Sequence, residues 1–552
     1  MYPGHPLESA VTFLHRSPSL WPVAFCLLFF PILLAVSRSR SLRTRFAKAE
    51  SRILLIWGIG VAGILAFCAL AYLGSPAFFD FYESTGVSVA YTAFHGGVAY
   101  PETSSAERYC LPYGPALYLV LGASQWAFGA STFSSKLPCC VAAVLAIALF
   151  WRILRSRGLS AVEASTLAGL NAACMLGLRQ VVFWTRSDPL ISLAVTAGIW
   201  AAFRRTRLGP VVLGACIGLG LSLKITAGIY FLPVVVIAFY TGWSWRDFAI
   251  CGAVLLAFVV LPFAVFPTQF PWRNYMAFFR TVGHEGFAQV PAAGFFRWGA
   301  MLAGLLFVAD HFILQHATLE SRRQRWAYRG ALAAGFAIVA VPACAVGAGQ
   351  HHLLPFIPLV LLAFGDLFAN REIHPWRYSA HPFWRAAAYA IFFGCTLVAI
   401  QTARQIVKVR AEIDGQSRLC EADLRQILTS HTQWTILMGT GLGYESDLSV
   451  RLRHLVVFAG NPIGLDAAVV SDYQFGGIAA PDLPRLLTEI RRRNPRPVLW
   501  LLSRGASPFT STNWYDSHLQ IYPEHFRRDF SELFQLREST RFFDLYLPTK
   551  SE

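Results

Sequence analysis

Long apolar runs separated by short polar connections constrain the fold of this chain more than any other feature. A membrane-spanning helix needs about 20 mainly apolar residues, and about twelve stretches of the sequence meet or approach that length. Only 14% of the 552 residues are charged, whereas roughly 25% are charged in a soluble protein. The sequence therefore predicts a polytopic α-helical membrane protein. The predicted spans are 20–37, 53–73, 137–154, 160–178, 188–203, 210–223, 226–242, 248–266, 296–315, 329–346, 352–368 and 385–403.

Basic clusters between these runs predict how the chain is oriented. There are six such clusters, among them "RSRSLRTRFAKAESR" (38–52) and "SRRQRWAYR" (321–329), and strict alternation of the spans puts them all on one face. Positively charged loops stay cytoplasmic, so the N-terminus and everything after residue 403 are expected outside the cytoplasm. Segment 112–131 must then not span, and we interpret it as amphipathic or re-entrant. The net charge of +16 reflects these clusters and does not indicate nucleic-acid binding.

The sequence divides into three predicted regions. Residues 1–52 hold an extra span and a basic cytoplasmic loop, and residues 53–403 form the main transmembrane region with a long outer loop at 74–136. After residue 403 the chain is polar, and short apolar runs alternate with helix-like stretches such as "PDLPRLLTEIRRR" (481–493). That alternation predicts a small extracytoplasmic α/β domain at 404–552. Its predicted strands lie at 434–439, 454–460, 467–472, 497–502 and 542–547.

Two further patterns are weak indicators of function. "GTGLGY" (439–444) lacks the third glycine of a dinucleotide-binding loop and is interpreted as a turn. The 11 cysteines include no CxxC pair and lie mostly in apolar runs, so they predict neither a metal site nor a disulfide framework. A bridge between Cys110 and Cys420, which lie in polar regions, remains open.

Ionisable residues gather in the connections assigned to the outer face. Charges at membrane depth are costly and usually line a protein cavity, so several loops that bring such groups to one face predict a shared cavity. Carboxylates next to basic groups fit transfer from a phosphate-linked donor. A carboxylate takes the proton of the acceptor nucleophile, and cationic groups neutralise the departing phosphate. The residues are Asp80, Glu83, Glu102, Glu107, Arg108, Arg186, Asp188, Lys224, Arg280, His284, Glu285, His351 and His352.

Six motifs follow one another along the chain: "FFDFYESTG", "PYGPALYLVLGASQWAFGAS", "SSKLPCCVAAV", "RSDPLISLAV", "LKITAGIYFLP" and "HHLLPFIPLV". Their order resembles that of the GT-C membrane glycosyltransferases, especially the protein O-mannosyltransferase and aminoarabinose transferase branch. The resemblance covers roughly residues 53–403. An acid starts the long first outer loop, and a second acid precedes a later span on the same face.

This resemblance implies an inverting transfer of a sugar from a polyprenyl-phosphate donor to a lipid, glycan or protein acceptor at the outer face of a membrane, expected to be the bacterial inner membrane. Asp80 would be the base, with Asp188 as a second acid and Glu83 as a helper. Relatives often carry two adjacent acids in this loop, whereas Phe81 and Tyr82 separate Asp80 from Glu83 here. The remaining implied roles are donor-phosphate binding by Lys224, Arg186, Arg280, His351 and His352, and binding of a possible divalent metal by His284, Glu285 and Glu102.

Structural alternatives exist for several of these residues. Asp80 and Asp188 are also suited to capping helices, Lys224 to reaching the membrane interface, and the histidines to simple solvation. A transporter or lipid flippase with about twelve spans is the alternative function, but such proteins often show two similar halves and charges near mid-span. This sequence shows neither feature. A non-catalytic envelope scaffold would not need acids and cations around one cavity.

Overall fold

The computed structural model of this protein describes residues 40–549 apart from 179–181, 283–286, 315–318, 346–347, 370–381, 442–447, 479–480, 514 and 517. The predicted span at 20–37 lies outside the described residues. Helices make up most of the described chain up to residue 430. They are α1 (Arg40–Leu73), α2 (Phe81–Phe94), α3 (Pro115–Phe128), α4 (Thr132–Ser156), α5 (Ala161–Gly177), α6 (Ser187–Ala202), α7 (Leu208–Leu223), α8 (Leu232–Tyr240), α9 (Trp245–Val265), α10 (Trp272–Val282), α11 (Gln289–Leu314), α12 (Leu319–Ala343), α13 (Ile357–Ala369) and α14 (Pro382–Ser430). The 3-10 segments Ile225–Phe231 and Gln350–Phe356 precede α8 and α13.

Capping boxes explain where several of these helices begin. At the start of α5 and α9, Ser160 and Ser244 accept hydrogen bonds from the backbone N–H three residues on, and the acids Glu163 and Asp247 accept from the serine N–H in return. These bonds satisfy backbone donors that have no partner inside the helix. The short-range sequence therefore sets these boundaries.

Several helices are suited to a bilayer. Within the described residues, Ser51–Leu73, Thr132–Ser156, Trp245–Val265 and Arg322–Ala343 are long and apolar enough to cross a membrane, and shorter apolar helices lie between them. Only 11% of the apolar window of α9 is buried inside the protein. Its exposed face carries apolar side chains such as Leu256 and Leu261, which suit contact with lipid. The protein is a polytopic helical membrane protein.

The helices coincide with the predicted spans from 53–73 onward. The number that cross the membrane stays a prediction. Helix α3, which occupies most of segment 112–131, has 14 residues and is therefore about 21 Å long. The hydrocarbon core is about 30 Å thick, so α3 alone is shorter than the core, and the expectation that this segment does not span stays a prediction.

The C-terminal region begins on a continuous helix. Helix α14 has 49 residues and continues unbroken past residue 403 to Ser430. A four-stranded mixed sheet follows, in the order β1-β2-β4-β3, with β1 parallel to β2 and the other pairs antiparallel. Its elements are β1 (Thr435–Met438), α15 (Leu448–Arg451), α16 (Arg453–Phe458), α17 (Ala467–Phe475), α18 (Leu483–Arg493), β2 (Val498–Ser503), α19 (Glu524–Leu533), β3 (Phe534–Ser539) and β4 (Phe543–Pro548).

Part of the predicted strand pattern is correct. The runs at 434–439, 497–502 and 542–547 correspond to strands, and 481–493 contains helix α18, which Asp482 caps. The runs at 454–460 and 467–472 were wrongly predicted as strands, because they form α16 and α17. These short helices are buried on nearly all sides, and a short apolar run carries no periodicity that separates buried helix from strand. Within the described residues, no disulfide bond joins Cys110 to Cys420.

Candidate active site

Asp80 lies at the start of α2, and each of its carboxylate oxygens has a different partner. Oδ1 accepts a hydrogen bond from the Tyr82 backbone N–H at 3.0 Å, which makes Asp80 the N-cap of the helix. Oδ2 accepts from the Arg186 guanidinium in an ion pair. The side chain remains 11% exposed. Capping therefore occupies one oxygen and leaves the other facing the cationic side of the site.

Arg186 stands between the two predicted acids. It is the N-cap residue of α6, and Asp188 lies in the first turn of the same helix. Burial lowers the pKa of Arg186 from 12.5 to about 10, and the nearby charge of Asp188 opposes that shift. Its Nε is buried without a hydrogen-bond partner in the described structure. The guanidinium thus holds Asp80 with one edge and keeps a donor unused.

Glu83 ties together three segments around Asp80. Its Oε2 accepts from the backbone N–H groups of Asp80 at 2.9 Å and Phe79 at 3.1 Å. Its Oε1 accepts from the Tyr72 hydroxyl at the end of α1 and from the Thr185 N–H at 2.8 Å. Burial raises the pKa of Glu83 to about 7, although these hydrogen bonds favour the ionised form. A carboxylate with four donors and no exposed surface is placed to fix geometry.

A buried lysine in α4 supports the same loop and was missed in the sequence. Lys136 donates to the backbone carbonyls of Tyr72 at 3.0 Å and of Ser75 and Ala77 at 2.8 Å. It is fully buried, and its ammonium lies 4.3 Å from the centre of the Tyr72 ring. A lone lysine in the apolar run "SSKLPCC" was the signal, because an ionisable group in a spanning segment needs a partner.

A second cluster lies where α7 ends and the 3-10 segments meet. Lys224 follows α7, and its Nζ lies 3.5 Å from Nε2 of the buried His352. The other ring nitrogen of His352 lies 3.5 Å from the Tyr230 hydroxyl. The ring of the half-buried His351 stacks at a tilt against His352, with centroids 4.7 Å apart. Lys224, His351 and His352 are therefore brought together as the sequence predicted, and Tyr230 joins them.

The "PYGP" segment connects the two clusters. The Gly114 N–H donates to the Leu223 carbonyl at 2.9 Å, and a Cβ on Gly114 would lie only 2.1 Å from the Ser222 carbonyl oxygen. Only glycine permits this approach, which seats Tyr113 beside the end of α7. Burial raises the pKa of Tyr113 well above its usual value, and Asp188 adds to the shift. The hydroxyl therefore stays protonated and can donate a hydrogen bond.

Two of the remaining predicted residues, Arg280 and Glu102, form no hydrogen bond or ion pair with the described residues of these clusters. Arg280 is exposed on α10 and forms no ion pair with any described residue. Glu102 is exposed and accepts a hydrogen bond from Ser104 at 3.0 Å. His284 and Glu285 lie outside the described residues, so their predicted metal site stays a prediction. In the part of the chain that the structure describes, no group of three or more His, Cys, Asp or Glu is arranged to hold a metal.

Comparison with known proteins places this arrangement in an enzyme class. The sequence model of glycosyltransferase family 87 matches residues 111–369. The fold is similar to crystal structures of ArnT from Cupriavidus metallidurans, in the apo state and bound to undecaprenyl phosphate. Both have 14% sequence identity and a TM-score of 0.52. The alignments cover 91% and 89% of this chain and 98% and 97% of the ArnT chains, respectively.

The chain is a membrane glycosyltransferase with an ArnT-like fold. The predicted resemblance is confirmed, and the transporter alternative is not supported. The family match includes Arg186, Asp188, Lys224 and His352, whereas Asp80 precedes it. At 14% identity the likeness to ArnT concerns the fold. The assignment of Asp80 therefore depends on its geometry in this chain.

Proposed function

We propose that this glycosyltransferase moves a sugar from a polyprenyl-phosphate donor to a hydroxyl acceptor on the outer face of a membrane. In a bacterium this would be the inner membrane. The acceptor oxygen bonds to the anomeric carbon while the bond from that carbon to the phosphate oxygen breaks. The transfer is a single displacement that inverts the anomeric centre. Asp80 takes the acceptor's proton, and the polyprenyl phosphate leaves as a stable anion without a general acid.

The ion pair of Asp80 with Arg186 is the observation that supports this assignment best. A neighbouring guanidinium keeps a carboxylate ionised, and an ionised carboxylate is the form that accepts a proton. Asp188 accepts no hydrogen bond from any described residue, although it is 5% exposed and buried near Arg186. It is therefore available to a sugar or acceptor hydroxyl. We assign Glu83 a positioning role and not a role in proton transfer, because both of its carboxylate oxygens accept hydrogen bonds from donors of this chain.

Two cationic groups are suited to the donor phosphate. Lys224 carries a positive charge and lies in the cluster with His352 and Tyr230. The Nε of Arg186, which has no partner in the described structure, offers a charge-assisted hydrogen bond. Negative charge on the phosphate increases as the bond to the sugar breaks, because the electron pair of that bond goes to the phosphate oxygen, so these donors stabilise the leaving group. The structure of ArnT bound to undecaprenyl phosphate supports a lipid-phosphate donor for a chain of this fold.

Labelled donors test this function. Membranes carrying the full chain are incubated with a set of polyprenyl-phosphate sugars, and the label is followed into protein, glycan and lipid fractions. Asp80→Asn retains an N-cap but lacks the base, so we expect transfer to fall by about 10²–10⁴-fold. Asp247→Asn is the matched control, because Asp247 caps the exposed start of α9. Transfer by Asp80→Asn at the rate of this control would refute the role of Asp80.

A further inference from the structure

The C-terminal region contacts the helix that begins at Asp80, on both sides of that residue. The Arg451 guanidinium donates to the backbone carbonyl of Phe79, the residue before Asp80. The Thr85 hydroxyl, five residues after Asp80, donates to Asp466 Oδ2 at 2.5 Å. Arg451 and Asp466 are each about 1% exposed. Contacts so deeply buried restrain the backbone on which the Asp80 carboxylate is carried.

A buried ion pair holds the acceptor of this contact in place. Asp466 Oδ2 also accepts from Arg453, and the two side chains are 2% and 1% exposed. Asp466 Oδ1 accepts from the N–H groups of Ala468 and Val469 at 3.0 and 3.1 Å, because Asp466 is the N-cap of α17. A buried pair is costly unless its remaining groups are hydrogen-bonded. Asp466 meets this condition partly through Thr85, a residue of the transmembrane region's outer loop.

A histidine makes a second bridge from the same region. His454 Nδ1 lies 3.3 Å from the Ser84 hydroxyl on α2, and Nε2 lies 2.9 Å from the Thr132 hydroxyl at the start of α4. Burial lowers the pKa of His454 to about 3, with Lys136 and Arg425 adding to the shift. The ring is therefore neutral near pH 7 and joins the two helices by hydrogen bonds only. It adds no charge beside Asp80.

We propose that Arg451, Arg453 and Asp466 are positioning residues for the transfer reaction, acting on Asp80 through Phe79 and Thr85. The proposal rests on the proposed function, in which Asp80 is the base. The C-terminal region then contributes contacts that complete the active site. A base displaced by about 1 Å can cost roughly 10²-fold in rate, so small changes in these contacts should alter kcat. Donor binding at Lys224 should be unaffected.

Thr85→Val tests this coupling with the smallest perturbation. The substitution keeps the shape of the side chain and removes only the hydrogen bond to Asp466. We expect kcat to fall about tenfold or more, the KM for the donor to change less than about twofold, and binding of undecaprenyl phosphate to stay unchanged. Hydrogen exchange of the full chain should increase over residues 79–94, a readout that needs no substrate.

The chain offers a matched control for an interdomain hydrogen bond that does not involve α2. The Ser105 hydroxyl donates to Glu489 on α18 at 2.9 Å, so Ser105→Ala removes an equivalent contact elsewhere in the same loop. Arg451→Lys should regain much of the kcat that Arg451→Met loses, because a lysine can still donate to the Phe79 carbonyl. A purely structural role predicts no such rescue in kcat at equal folded protein.

The outcomes separate the two proposals. If Thr85→Val and Arg451→Met match Ser105→Ala in kcat and in exchange, the positioning role is refuted while the role of Asp80 stands. If Asp80→Asn keeps full transfer, the role of Asp80 as base is refuted although the transfer activity stands, and the positioning proposal that rests on this base is refuted with it. A loss of donor binding in Thr85→Val would also contradict the proposal, since it places these residues on the side of the base.

Discussion

Glu83→Gln isolates the role of the buried carboxylate that accepts four hydrogen bonds. The amide keeps the size of the side chain but has only one acceptor oxygen. Its oxygen can face the N–H groups of Phe79 and Asp80, while its NH₂ group faces Tyr72 and Thr185. The Tyr72 hydroxyl can turn to accept. The Thr185 N–H cannot, so this buried donor loses its hydrogen bond of 2.8 Å to Glu83 and keeps only the longer one, of 3.3 Å, to the Tyr72 hydroxyl oxygen.

The size of the effect depends on pH, and its sign follows from the raised pKa. Loss of the better acceptor of a buried N–H costs about 1–3 kcal/mol. Burial raises the pKa of Glu83 from 4.5 to about 7 in the folded state, so the folded protein binds more protons than the unfolded chain between these values. The free energy of unfolding of the parent protein therefore increases as pH falls from 7 towards 4.5, by at most about 3 kcal/mol. The glutamine variant lacks this increase.

We therefore expect Glu83→Gln to be about 1–3 kcal/mol less stable than the parent near pH 5, and close to or above it in stability at pH 7.5. Denaturation of the purified full chain in detergent at both pH values measures this difference. Glu421→Gln is the control, because Glu421 forms an exposed pair with Arg425 on α14 and such pairs contribute about 0–1 kcal/mol. A stability gap for Glu83→Gln that is the same at pH 5 and pH 7.5 would refute the reasoning.

Two other predictions concern the cationic residues. Lys136→Met removes the ammonium that donates hydrogen bonds to three buried carbonyls and should destabilise the protein by about 3 kcal/mol or more. Thermal unfolding measures this effect, with Lys408→Met as the control because the Lys408 side chain is exposed. Equal melting temperatures of the two variants would contradict the prediction. Lys224→Gln should lower kcat/KM for the donor about tenfold or more, because a charge-assisted hydrogen bond to phosphate contributes about 1.5–3 kcal/mol. Steady-state kinetics with a labelled donor test this, and an unchanged kcat/KM would exclude Lys224 from the phosphate site.

The positions of the helices could be predicted from the sequence because apolar length is a local property. The role of Arg186 was harder to predict. The motif "RSDP" places it next to Asp188, but the structure pairs it with Asp80, which lies 106 residues earlier in the chain. No local pattern indicates which of two acids a guanidinium will contact. Asp80 was ranked above Glu83 because of its position in the loop and the resemblance to the family, not because of a local pattern.

Residues that act through tertiary contacts were missed for the same reason. Lys136 looked like part of an apolar run, and Tyr113 like part of a re-entrant segment, because their partners are brought together only by packing. The run "HLVVFAG" contains His454, and "AAVVSD" directly follows Asp466. Both of these residues contact α2, but the two runs were assigned to strands. The local sequence does not distinguish a buried short helix from a buried strand. That distinction determines which side chains reach Asp80.

The length of helix α14 would make the rate of transfer depend on the thickness of the bilayer. Its 49 residues extend over about 74 Å, more than twice the roughly 30 Å of a hydrocarbon core. Along this length Asp414 accepts from Ser75, near the Asp80 loop, and Asp423 accepts from Thr540, beside β4. Because spanning helices tilt to match lipid thickness, a change of about 5° would swing the far end of such a rod by about 6 Å. Lipid composition would then act on the alignment of the sheet with the membrane-embedded half of the enzyme.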